Sequence, residues 1–173
     1  MYKKGDIVRY RTIDDKIVRA ILKSGLTTNI NGLDGYKAVT LDDNKRYFLD
    51  KNRIIIVKKK EIWLPIYNGK LVIIGGNDYR NIAKKYAVDM TSNNFEAVSY
   101  AILDKDGSYN FVVFFTMQTI DIDIIAHEAS HLVNKIFKTH SVKYSKDNDE
   151  HFAYLLGWIT KKCYDFLETI YNK

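Results

Sequence analysis

The sequence predicts an α+β chain in which a small all-β module precedes a compact domain made of a small sheet and two helices. Three patterns carry that expectation. Short apolar runs separated by turn residues fill residues 1–60, longer apolar runs follow, and from about residue 120 apolar side chains recur every three or four positions. With 173 residues, 46% hydrophobic and 28% charged, the chain can form one full core or a small module joined to a compact domain.

The first module is predicted as strands over 5–10, 16–22, 36–41, 46–49 and 53–57. Gly25, Asn31-Gly32, Asp34-Gly35 and Asp42-Asp43-Asn44 supply turn chemistry. Strands this short and closely spaced suggest a small barrel, and their spacing resembles an SH3-like fold. A charged run, Lys58-Lys59-Lys60, and the only proline, Pro65, then suggest a linker at 58–65. The expected division is a module of residues 1–60 and a domain of residues 61–173.

In the second domain Lys70-Leu71-Val72-Ile73-Ile74 reads as a strand ending at Gly75-Gly76, and 78–87 has the length and polarity of a helix. Strands are expected over 95–103 and 109–117, joined by the hairpin-type turn Asp104-Lys105-Asp106-Gly107. Ile122, Ile125, Ala126, Ala129, Leu132, Val133 and Ile136 then form one stripe of a helix that Thr119 or Asp121 can cap. A last helix over 150–171 repeats the logic with Phe152, Leu156, Ile159, Cys163, Phe166, Leu167 and Ile170. Cys163, the only cysteine, is expected to be a packed thiol.

The net charge of +6 is uneven. Residues 1–60 hold 15 Lys+Arg against 7 Asp+Glu, and residues 61–173 hold 12 against 14. Such asymmetry permits an anionic partner, such as nucleic acid, for the first module, although solvated lysines on a small barrel are the commoner explanation. No apolar run reaches the roughly 18 residues of a membrane span and Met1-Tyr2-Lys3-Lys4 opens no signal peptide, so a cytoplasmic protein without a membrane partner is expected.

One stretch states a chemistry: His127-Glu128-Ala129-Ser130-His131. Residues i and i+4 of a helix share a face, so two imidazoles at that spacing can grip one metal ion. Glu128, rotated by about 100° from His127, can hold a metal-bound water without being a ligand. Composition alone would produce such a pattern about 0.003 times in a chain with 4 His and 5 Glu, which favours a site over coincidence. The motif also falls inside the most amphipathic helix, opposite its apolar stripe.

The motif resembles the HExxH signature of zincin metallopeptidases. The extended metzincin form needs a histidine at the position of Phe137, and His140 falls beyond it. Glu150-His151-Phe152-Ala153 instead is similar to the E-x-x-A element of gluzincins, and the run through Trp158 resembles small zincin-like proteins of bacteriophages and mobile elements. The resemblance implies Zn2+ held by His127, His131 and Glu150, Glu128 as catalytic base, and a peptide or protein substrate. Asp147, Asp149 and His151 are rival ligands. Ala153 and Gly157, on the face of Glu150, suggest a close approach of the two helices. Tyr154, ahead of His140 and Tyr144, is the first candidate to steady an oxyanion. The strand over 109–115 precedes the metal helix as the edge strand does in zincins, where it would pair with an extended peptide, and an equally simple account is that its aromatics form core. A non-catalytic structural or binding subunit, such as a virion component, is the alternative.

Overall fold

The computed structural model describes residues 2–14, 16–51, 54–55, 57–76, 96–116 and 120–171. The helix expected over 78–87 lies outside them, as do Arg53, Phe95, Met117 and Thr119. Two compact units emerge, Met1–Ile56 and Val57–Lys173, in an α+β fold.

The first unit is an antiparallel sheet of β1 (Ile7–Arg11), β2 (Ile17–Leu22), β3 (Thr27–Thr28), β4 (Asp34–Thr40), β5 (Arg46–Asp50) and β6 (Ile54–Ile55). The order runs β3-β4-β2-β1-β6, and β5 also pairs with β4. Strict alternation sends Val8 and Tyr10, Ala20 and Leu22, Tyr36 and Ala38, and Leu49 into one core. Nothing joins β5 to β6 among the described residues, so the closed barrel expected from strand spacing is absent there.

Lys58-Lys59-Lys60, expected in a linker, lies inside β7 (Val57–Trp63), which pairs antiparallel with β8 (Gly69–Gly76). Lysines suit this position because β7 is an edge strand, where charge opposes pairing with another chain. Lys59 pairs with Glu61, and Lys58 Nζ donates to the Thr169 carbonyl at 3.1 Å. With these residues in the second unit, the first holds 12 Lys+Arg against 7 Asp+Glu and the second 15 against 14, so the charge asymmetry falls by more than half.

The sheet order is β7-β8-β10-β9, with β9 (Ala97–Leu103) and β10 (Tyr109–Phe115) forming the expected hairpin and β10 running parallel to β8. β10 therefore has a partner on both sides. Its carbonyls and amides are used within the sheet, and the outer strand is β9, not the strand over 109–115. Gly69 is needed here, since a Cβ would come within 2.7 Å of the Tyr109 carbonyl oxygen.

β8 and β10 read as unbroken apolar runs because both of their faces are buried. Leu71, Ile73, Phe111, Val113 and Phe115 pack with two helices, α1 (Ile122–Thr139) and α2 (Asp149–Tyr171). Val72, Ile74, Val112 and Phe114 form a separate cluster with Val98 and Ile102. α1 contributes Ile125, Ala129, Leu132, Val133 and Ile136; α2 contributes Leu155, Ile159, Cys163, Phe166 and Leu167. Each buried Val, Leu, Ile or Phe among them stabilises the fold by about 1.5–3 kcal/mol relative to exposure. Burial raises the Cys163 thiol well above its ordinary pKa, as expected for a packed cysteine. Among the described residues, no helix is long and apolar enough to cross a membrane.

Candidate metal centre

Helix α1 is defined at both ends. Asp121 is its N-cap, accepting from the Asp123 amide at 2.9 Å and the Ile124 amide at 3.4 Å, which is worth about 1 kcal/mol. At the other end the Val142 amide donates to the Phe137 carbonyl at 2.8 Å and the Ser141 amide to the Lys138 carbonyl at 3.3 Å. This is a Schellman turn, but Ser141 (φ 57°) occupies the left-handed position usually held by glycine.

Between these caps, the apolar stripe faces the sheet and α2, which leaves His127 and His131 exposed on the opposite face. Their Nε2 atoms stand 3.0 Å apart and their rings meet edge to face at 4.6 Å between centroids. Two imidazoles so placed can share one proton, or, both neutral at Nε2, direct two lone pairs toward one point. Two nitrogens bound to one tetrahedral zinc ion stand roughly 3.3 Å apart, so the observed spacing fits that donor set to within a few tenths.

Glu128 has a different environment. It is only 8% exposed, unusual for a carboxylate, while both neighbouring histidines meet solvent. Lys135, two turns along on the same side of α1, interacts with its charge, and burial holds the Lys135 ammonium below its ordinary pKa against that attraction. The partnership was visible as an i, i+7 spacing that sequence reasoning passed over. On β9, Ser99 shares a face with Ala97 and Ala101, which pack on the helical core, and its buried hydroxyl has no hydrogen-bond partner among the described residues.

The other expected residues are less closely gathered. Glu150 is exposed on the first turn of α2, and among the described residues no third His, Cys, Asp or Glu forms a metal-holding group with the histidine pair. Asp149 accepts the Glu150 amide at 2.8 Å, and Asp147 lies in the preceding loop. His151 packs parallel to Tyr67 with centroids 5.6 Å apart, and its Nε2 lies 3.4 Å from the Tyr67 hydroxyl. His140 lies 4.8 Å from the same ring and has Nδ1 at 2.9 Å from the Ile136 carbonyl. Both are thus engaged in an aromatic cluster with Phe137, and Tyr67, which organises it, carried no signal in the sequence.

Tyr154 is exposed and lines a shallow hollow with Trp158 and Lys162. Tyr144 is also exposed and meets Phe152 edge to face. The expected close helix approach at Gly157 is not found, because a Cβ there would meet nothing within 4 Å. Ile122, Ala126, Ala153, Leu156, Gly157 and Tyr164 instead line an open groove of about 660 Å³. Small side chains here keep space open.

Compared with protein-family models, curated proteins and solved structures, the chain finds no match in any of the three.

Proposed function

We propose that the second unit is a zincin-like domain and that the protein is a zinc-dependent peptidase of gluzincin type. The observation that carries this reading is the convergence of the His127 and His131 Nε2 atoms at 3.0 Å on an exposed helical face, with a buried glutamate next in sequence. His127 and His131 would hold the metal, and Glu150 is the residue assigned to a third position. When bound, zinc supplies a Lewis acid that brings the pKa of a coordinated water to about 7.

The remaining work falls to side chains of this chain. Glu128 takes the proton of the attacking water and returns it to the leaving amine. Its low exposure favours such a role by limiting competing solvent. Tyr154 is assigned to the oxyanion, donating from its phenol hydroxyl. A peptide is expected along the outer side of β9, which has no second strand partner among the described residues and precedes β10 in sequence.

Replacing Glu128 by Gln preserves size while removing the base, so zinc content should persist and peptide hydrolysis should fall by about 10²–10⁴. Undiminished hydrolysis in Glu128→Gln would remove it from the mechanism. Glu150→Gln should weaken zinc retention in equilibrium dialysis, and equal retention would withdraw the third-ligand assignment.

A second reading keeps the fold without catalysis, as a structural or binding subunit. It is favoured by the lack of a third ligating group beside the pair among the described residues. A nucleic-acid role for the first unit is the weaker proposal, since its charge surplus falls once Lys58-Lys59-Lys60 belong to β7. Salt-dependent retention on DNA or RNA would support it.

A further inference from the structure

The first unit contains a cavity unrelated to the histidine pair. It lies among β1, β2, β4 and β5, has a volume of about 180 Å³, and is lined by Tyr10, Thr40, Asp42, Asp43, Tyr47 and Leu49, among others. Pockets that enclose whole small-molecule ligands are usually about 300–1,000 Å³, so this space suits one head group or one side-chain end.

Its lining inverts the charge of its surroundings. The unit has more cations than anions, yet two carboxylates and no Lys or Arg line the cavity. Thr40, Leu49 and Tyr10 form a buried floor, while Tyr47 is an exposed wall at 45% exposure. The turn carrying the carboxylates is held in place: Asn44 takes a positive φ of 54°, the Thr40 hydroxyl donates to Asp43, and the Lys45 amide donates back to the Thr40 hydroxyl at 3.0 Å. Lys45 Nζ also lies 3.1 Å from Asp43. These contacts, the Thr40 hydroxyl first, hold the Asp43 carboxyl below the ordinary aspartate range. Asp42, by contrast, has no ion pair or hydrogen bond among the described residues.

We infer that this cavity recognises an alkylammonium cation, the head group of a lysine side chain or of a free quaternary amine. An aromatic face attracts such a cation through its quadrupole, the unpaired Asp42 carboxylate adds a Coulombic partner, and the apolar side chains of Val18 and Leu49 in the lining accept the alkyl carbons. An anion would meet two carboxylates, and a neutral apolar group would leave them without purpose. The inference is independent of the peptidase reading, because it uses the first unit alone.

The test is titration of the full chain, following Tyr ring signals by NMR. Tetramethylammonium chloride is the probe, with tert-butanol as its neutral isostere and sodium chloride at matched ionic strength. Tetramethylammonium should shift the Tyr10 and Tyr47 rings saturably, and the two controls should not. Asp42→Asn, on an exposed turn, should weaken binding at least about fivefold without changing the amide spectrum, and Tyr47→Leu should weaken it about tenfold. Nα-acetyl lysine amides, plain and Nε-trimethylated, distinguish the source. Tighter binding than tetramethylammonium indicates a lysine on a protein, whereas equal binding indicates a free amine. No saturable shift with any cation, the same shift with tert-butanol, or unchanged binding in Asp42→Asn would overturn the inference.

Discussion

Two regions of the α1–α2 pair have opposite characters. Where α1 ends and α2 begins, His140 and His151 are packed with Tyr67 and Phe137 into an aromatic cluster, and the chain between them is secured by a Schellman turn. Along the outer side of α1, His127 and His131 meet solvent with their nitrogens converged, and the nearby helix surfaces carry Ala126, Ala153 and Gly157 around an open groove. The same residue type thus serves packing in one place and is left chemically available in the other. Exposure and mutual geometry, more than the count of histidines, distinguish a ligand candidate from a structural one.

Substitutions can break this contrast. Tyr67→Ala removes the ring shared by both packed histidines and should cost about 2–4 kcal/mol in urea unfolding. A loss below about 0.5 kcal/mol would mean that the cluster does not stabilise the unit. Ser141→Gly relieves the left-handed φ of 57° and should raise stability by about 1 kcal/mol, with a decrease counting against strain at that turn. Gly157→Ala should raise stability by about 0.5–1 kcal/mol, since nothing lies within 4 Å of the added methyl. A marked destabilisation there would restore the close helix approach expected from sequence. Smallest of all, His127→Gln on the exposed face should change metal-free stability by no more than about 0.5 kcal/mol.

The contrast also shows what was legible in the sequence. The apolar stripe of α1, its cap at Asp121, the buried Cys163 and the hairpin at Asp104-Lys105-Asp106-Gly107 follow from local periodicity and local chemistry, and all are present. Features that depend on neighbours distant in sequence were not legible. Lys58-Lys59-Lys60 reads as a linker because its charge is visible and its pairing with β8 is not. The edge position that the zincin resemblance implied for β10 fails, because nothing local reveals that β8 lies on one side and β9 on the other, whereas the alternative that its aromatics form core holds. Gly157 suggested contact, although the same absence of a side chain also serves an open groove. At the candidate site, the helical spacing brought His127 and His131 together as expected, whereas Glu150, on another helix, required tertiary information that the spacing lacks.

The central claim is that the exposed histidine pair holds zinc and the packed pair does not. The most direct measurement is zinc content by elemental analysis after equilibrium dialysis of the full chain, compared with His131→Ala and His151→Ala. We predict one zinc ion per chain in the parent, none retained in His131→Ala, and full retention in folded His151→Ala. Equal zinc in the parent and His131→Ala, or loss confined to His151→Ala, would contradict the account.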